Sequence, residues 1–185
     1  SLENYLKNKK IALVGNSKNI LYEKKNIDEF DIVIRINIPP IKKYYNKIGK
    51  RCDIIMLSNG PVKLLIPNVY NVWFSPNYNF VPFHKKLFYN YQLVHYRFDW
   101  FEELRGILGS NPSTGAQSLH FLIKLLKKPN ITLFGFDHNR GNAWYADLPV
   151  QKDSHDWNAE KKYFESLIND NIRYFQNKKK KNITN

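Results

Sequence analysis

Ile11-Ala12-Leu13-Val14-Gly15-Asn16-Ser17 is a short apolar run closed by a glycine and followed by two small polar residues. Such a run reads as a buried strand that ends in a tight turn. Working outward, Asp31-Ile32-Val33-Ile34-Arg35-Ile36-Asn37 is β-branched and stops before Pro39-Pro40, a second strand. Asp53-Ile54-Ile55-Met56-Leu57 is a third, ending at the turn cluster Ser58-Asn59-Gly60-Pro61. Val69 to Phe74 gives a fourth. From Pro76 to Trp100 aromatics and prolines crowd together without a period, which reads as an irregular region or a lid over a site.

The second half alternates helix and strand. Asn111-Pro112-Ser113-Thr114-Gly115 opens an amphipathic stretch through Lys128, with Ser113 or Asn111 as its cap and Pro129-Asn130 as its stop. Ile131-Thr132-Leu133-Phe134-Gly135-Phe136 follows as a strand, and a polar loop runs from Asp137 to Asp153. A last helix begins near Asp156, with Trp157, Phe164, Leu167, Ile168, Ile172 and Phe175 at helical spacing. Strands alternating with helices predict an α/β domain, Rossmann-like, built on a mainly parallel sheet.

The composition bounds the function. A chain of 185 residues that is 43% hydrophobic and 24% charged is a globular domain, not a disordered or fibrous one. We divide it into one domain, 1–177, and a basic tail, 178–185, that starts with four consecutive lysines. No apolar run reaches the ~18 residues that a membrane span requires. Cys52 is the only cysteine, which excludes a disulfide framework and a multi-cysteine zinc site and fits a reducing compartment. With Ser1 first and Met56 the only methionine, the natural start is expected upstream. The net charge of +13 attracts anions such as nucleic acid, anionic lipid or phosphorylated small molecules. An ordinary solvated surface accounts for it equally.

Ligands of open α/β sheets lie beyond the carboxyl ends of the strands. There the chain places Gly15-Asn16-Ser17, Asn37, Ser58-Asn59 and Asp137-His138-Asn139. Asn and Ser are neutral donors and acceptors able to hold a ribose, a base edge or a phosphate, although Asn also simply suits turns. Pro112-Ser113-Thr114-Gly115 at a helix start offers free N–H groups to a phosphate, with Gly115 allowing close approach. Neither a Walker loop nor a dinucleotide fingerprint is present, and no Asp-X-Asp occurs to hold a divalent ion. His155 stands at the mouth of the last helix, where the dipole favours the uncharged imidazole that a general base requires. An ordinary surface histidine fits that position too. Glu160, five residues on, lies about 140° further round a helix, so no local geometry explains the pair.

Taken together, these segments resemble the animal-type sialyltransferases and their four sialylmotifs. The large motif resembles Val14-Gly15-Asn16-Ser17 with Ile27 to Asn37 and Gly49-Lys50-Arg51; the small motif resembles Pro112-Ser113-Thr114-Gly115, closed by Gly135-Phe136. His155 and Glu160 match the very short motif, His-X4-Glu. The resemblance implies a single-domain GT-A-like variant fold, a CMP-sugar donor, no metal and transfer with inversion. It further implies that Asn16 and Asn37 contact phosphate and ribose. Ser17, Ser58, Asn59, Ser113, Thr114, Gly115, Gly135, Phe136, Trp144 and Tyr145 would complete the donor site. His155 would deprotonate the acceptor hydroxyl, with Glu160 as structural support.

Two departures shape the expectation. Asn142-Ala143-Trp144-Tyr145 stands where the family carries a His-Tyr pair, which leaves Tyr145, or His138 upstream, for the phosphate-assisting role. The family's disulfide cannot form with Cys52 alone, which points to a short bacterial, cytoplasmic relative acting in surface-glycan synthesis. The expected partners are a CMP-sugar carrying sialic acid or Kdo, and a glycan or glycolipid acceptor. The lysine tail would make a peripheral contact with the inner face of an anionic membrane. A rival reading is a single-stranded nucleic-acid-binding module using Trp73, Tyr78, Phe80 and Tyr91 as stacking platforms. It lacks a recognised RNA-binding signature.

Overall fold

The computed structural model of the chain describes residues 1–22, 26–37, 41–58, 68–74, 92–139, 143 and 154–176. Asn59, Trp144, Tyr145, Tyr78, Phe80, Tyr91 and the lysine tail, singled out in the sequence, lie outside them. The described residues form one sheet of seven strands, all parallel, in the order β5-β4-β3-β2-β1-β6-β7. The strands are β1 (Ile11–Val14), β2 (Ile32–Ile36), β3 (Ile54–Ser58), β4 (Tyr70–Phe74), β5 (Gln92–His95), β6 (Ile131–Phe134) and β7 (Ile172–Tyr174). The helices are α1 (Leu2–Leu6), α2 (Tyr45–Ile48), α3 (Phe98–Leu108), α4 (Thr114–Leu125) and α5 (Trp157–Leu167), with 3-10 turns at Lys18–Leu21, Ile27–Glu29 and Ile41–Tyr44.

Every residue of β1 is buried because alternate side chains serve opposite layers. Ile11 and Leu13 pack with Leu104 of α3, Leu119 and Leu122 of α4 and Phe164 of α5. Ala12 and Val14 pack with Ile20, Ile27 and Ile48 on the other face. Burying a side chain such as Leu13 contributes about 1.5–3 kcal/mol. Within this core the Tyr96 hydroxyl meets His120 Nδ1 at 2.7 Å.

Three expectations change. The segment ending at Trp100 was read as irregular; its described part contains β5 and the start of α3. Strand β5 pairs with β4 from Tyr70↔Gln92 to Trp73↔His95, a partner that no local pattern announces. The amphipathic stretch leaves the helix at Leu125, where Leu126 takes an extended backbone, rather than at Lys128. The last helix likewise ends at Leu167, so Ile172 and Phe175 are not on it. Asn169 Oδ1 accepts from the N–H groups of Asn171 and Ile172 and turns the chain. Ile172 then pairs with Ile131.

The Gly49-Lys50-Arg51 part of the large motif braces the amino edge of the sheet. The Asp28 carboxylate accepts from the N–H groups of Lys50 and Arg51. The Arg51 guanidinium donates to the carbonyls of Asp28, Phe30 and Asp31 and pairs with Asp53 at 2.8 Å. Cys52 lies in the same region, where burial pushes its thiol up to about 11. Among the described residues, no helix is long and apolar enough to cross a membrane.

Candidate active site

The chain builds outward from β1 to β5 and then returns to add β6 and β7 on the other side of β1. That reversal opens a crevice at the carboxyl ends of β1 and β6, where open α/β sheets bind ligands. Gly15 and Gly135 meet there back to back: a Cβ on either would lie 2.6 Å from the other's carbonyl oxygen. Gly135 also has φ +69°, a left-handed backbone that a side chain strains. Ser17 locks the crossing, its hydroxyl donating to the Gly135 carbonyl and accepting from the Asp137 N–H at 3.0 Å.

Asn16 Nδ2 donates to the Ile36 carbonyl at 2.8 Å and so ties β1 to β2. Asn37 adopts φ 55°, a conformation Asn tolerates better than most residues. Its Oδ1 stands 3.4 Å from the Ser58 N–H and 3.5 Å from the Ser58 hydroxyl.

Helix α4 brings its amino end to the same place. Ser113 caps it by accepting from the Ala116 N–H at 3.1 Å. Glu160, 1% exposed, grips the cap from α5: Oε1 accepts from the Ser113 N–H and Oε2 from its hydroxyl, both at 2.7 Å. The first turn of a helix leaves its N–H groups without intrahelical acceptors. Ala116 is satisfied by the cap, and Thr114 and Gly115, whose N–H groups have no intrahelical acceptor, line the cavity.

His155 precedes Asp156, whose side chain caps α5 by accepting from the Ala159 N–H. The His155 ring is held edge-on to Trp157 at 5.5 Å between centroids. Its Nδ1 lies 2.7 Å from the Asn111 carbonyl. A carbonyl only accepts, so Nδ1 carries the proton, and Nε2 of the neutral ring is the basic nitrogen.

These elements enclose one cavity of about 550 Å³, the size of a small-molecule site. Asn16, Ser17, Asn37, Ser113, Thr114, Gly115, Gly135, Phe136, His155 and Glu160 all line it. Ser58 does not; it stands behind Asn37. Trp144, Tyr145 and Asn59 belong to the undescribed residues. Three of these residues also hold the walls together. The hydroxyls of Ser17 and Ser113 bond Gly135, Asp137, Glu160 and Ala116. Gly115 leaves room for the Phe136 ring, which a Cβ there would meet at 2.9 Å.

Phe164, read from the sequence only as one of the apolar residues of the last helix, and Lys18, not singled out at all, both line the cavity. His138, named above only as a stand-in, lies in the wall as well. Its ring meets Phe164 edge-on at 4.5 Å, and its Nε2 is 2.7 Å from the Tyr174 hydroxyl. Burial lowers the His138 pKa, against the raising effect of Asp137 and Glu165, and raises Tyr174 to about 12. Lys18 follows directly on Asn16-Ser17, which is the signal that would have found it.

Ser17→Ala is expected to lower stability by about 1 kcal/mol, the usual worth of such hydrogen bonds. Calorimetric unfolding measures the loss; unchanged stability would show that the hydroxyl does not hold the crossing.

Comparison with known proteins agrees with this architecture. The sequence model for glycosyltransferase family 29 (sialyltransferase) matches residues 3–86. No curated protein matches the sequence significantly. Among solved structures, a mammalian sialyltransferase is similar with TM-score 0.70 and 19% identity, over 90% of this chain and 68% of that one. A mammalian sialyltransferase in complex with Gal-beta-1-3GalNAc-ortho-nitrophenol gives TM-score 0.67 and 19% identity, over 89% and 68%. The sialyltransferase CstII from Campylobacter jejuni, in complex with the substrate analogue cytidine-5'-monophosphate, gives 0.51 and 20%, over 87% and 77%. Residues 3–86 thus match the sequence model of the sialyltransferase family, and the fold is similar to that of solved sialyltransferases.

Proposed function

We propose that the protein is a CMP-sugar-dependent glycosyltransferase that moves a sialic acid, or a related acidic sugar, to a hydroxyl of a glycan or glycolipid, with inversion and without a metal. One observation carries the reading. The asparagine turns after β1 and β2, the amino end of α4 and the His155 ring border a single cavity.

In this reading Asn16, Asn37 and the N–H groups of Thr114 and Gly115 hold the donor, with its anionic groups against the donor-rich wall. His155 Nε2 accepts the proton of the acceptor hydroxyl as its oxygen bonds to the anomeric carbon. The bond from that carbon to the phosphate oxygen breaks, and its electron pair leaves with CMP. Oxocarbenium-like character develops at the sugar, as in glycoside cleavage, and the oriented N–H groups offset charge on the departing phosphate. The absence of Asp-X-Asp supports chemistry without a divalent ion. The residues of the rival nucleic-acid reading fall outside the described chain, except Trp73, which lies within β4.

A thermal-shift screen of CMP against UMP, AMP and GMP tests the proposal. CMP at 100 times its dissociation constant adds about 2.7 kcal/mol, and the other nucleotides are expected to add little. Transfer from a CMP-sugar is expected to survive EDTA. No preference for CMP, or salt-steep oligonucleotide binding in its place, would defeat the proposal, and loss of transfer in EDTA would defeat its metal-free part.

A further inference from the structure

Among the described residues, Lys18 is the only Lys or Arg that lines the cavity. None of the described residues forms an ion pair or hydrogen bond with its ammonium group. Two carboxylates, Asp137 and Glu160, line the same cavity. Glu160 is spent on Ser113, and Asp137 Oδ1 accepts from the Asn139 N–H at 3.0 Å.

Lys18 also enters from a different side than α4. Ile20, on the same 3-10 turn, packs with Ala12 and Val14 on one face of the sheet. Ala116 and Leu119 of α4 pack with Ile11 and Leu13 on the other. The cavity lining therefore has two anion-attracting features, supplied from opposite faces of the sheet. One is a pair of N–H groups at a helix start; the other is a full positive charge.

We propose that Lys18 binds the phosphate of the donor and neutralises the charge that the phosphate gains as it leaves. This rests on the function proposed above. When the sugar–oxygen bond breaks, the electron pair stays on the phosphate oxygen, so a singly charged diester becomes a CMP monoester with a second negative charge. A cation at that oxygen holds the transition state and the product more tightly than the bound donor, which raises kcat rather than only lowering KM. A lysine then contributes in this chain what a divalent ion supplies elsewhere.

The test compares wild type, Lys18→Gln and Lys18→Arg, with CMP and cytidine titrated by calorimetry and transfer kinetics measured alongside. Lys18→Gln is expected to weaken CMP about tenfold, the scale of one charge-assisted hydrogen bond, with cytidine affinity unchanged. Its kcat is expected to fall by more than its donor KM rises, and Lys18→Arg is expected to recover most of both. Equal CMP affinity in wild type and Lys18→Gln overturns the proposal, leaving Lys18 a solvated surface group. Loss of affinity for the CMP-sugar but not for CMP also overturns it, by moving the contact to the sugar's carboxylate. A wild type that does not bind CMP at all would instead remove the proposed function, so the two failures are distinguishable.

Discussion

His155→Ala is expected to lower transfer by roughly 10²-fold or more, the usual worth of a positioned acid–base group, while CMP affinity stays within about twofold. The geometry explains the separation. The ring is held by its own contacts, Nδ1 to the Asn111 carbonyl and an edge against Trp157, whereas the nucleotide wall is built from β1, β2 and α4. Removing the imidazole leaves that wall standing and takes away the proton acceptor. Single-turnover transfer and CMP titration on the same preparation read the two effects. Equal losses of binding and turnover would make His155 a structural residue. Unchanged turnover would remove it from the chemistry.

Glu160→Ala is expected to cost stability first and activity as a consequence. The carboxylate is buried and accepts from both the N–H and the hydroxyl of Ser113. Its loss strands two buried donors, at about 1–3 kcal/mol each. A total of ~3 kcal/mol lowers the melting temperature of a chain this size by roughly 6–12 °C. Because Ser113 caps α4, CMP binding is expected to weaken as well. Glu160→Gln keeps one acceptor and is expected to fall between. A melting temperature within about a degree of wild type for Glu160→Ala would show that the clamp carries no weight.

The clamp also accounts for a spacing that local geometry leaves unexplained. His155 lies before the cap of α5 and Glu160 lies inside the helix, so the two do not share a helical face. They are joined through a third element. His155 bonds the Asn111 carbonyl, and Glu160 bonds Ser113 two residues later. The Asn111–Ser113 turn is thus gripped at both ends by a single segment. Chain positions 111–113 and 155–160 meet only because α4 and α5 pack on the same face of the sheet.

Other parts were legible from local pattern. β1, β2 and β3 announce themselves because strands buried on both faces are unbroken apolar runs, and the Ser113 cap is visible as a serine before a helical stretch. Asn16, Asn37 and Gly135 stand out in the sequence because they come within two residues of the ends of β1, β2 and β6. The strand β5 and the end of α5 do not, since a short segment is fixed by the neighbour it pairs with. The wall-holding bonds of Ser17 and Ser113 to Gly135 and Glu160 were not legible for a related reason. A small polar residue at a strand end suits a ligand and a neighbouring loop equally well.

The sequence by itself determined β1 to β4, β6 and α4, the α/β class with its mainly parallel sheet and the set of polar turns at its carboxyl edge, because burial period, caps and breakers act over a few residues. Only the tertiary structure decided which of those polar groups face the cavity and which hold its walls. It also brought Lys18 to the cavity from the face of the sheet opposite α4 and joined His155 to Glu160 through the turn before that helix. Those outcomes depend on contacts between residues far apart in the chain, whose donors and acceptors are satisfied only once the layers have packed.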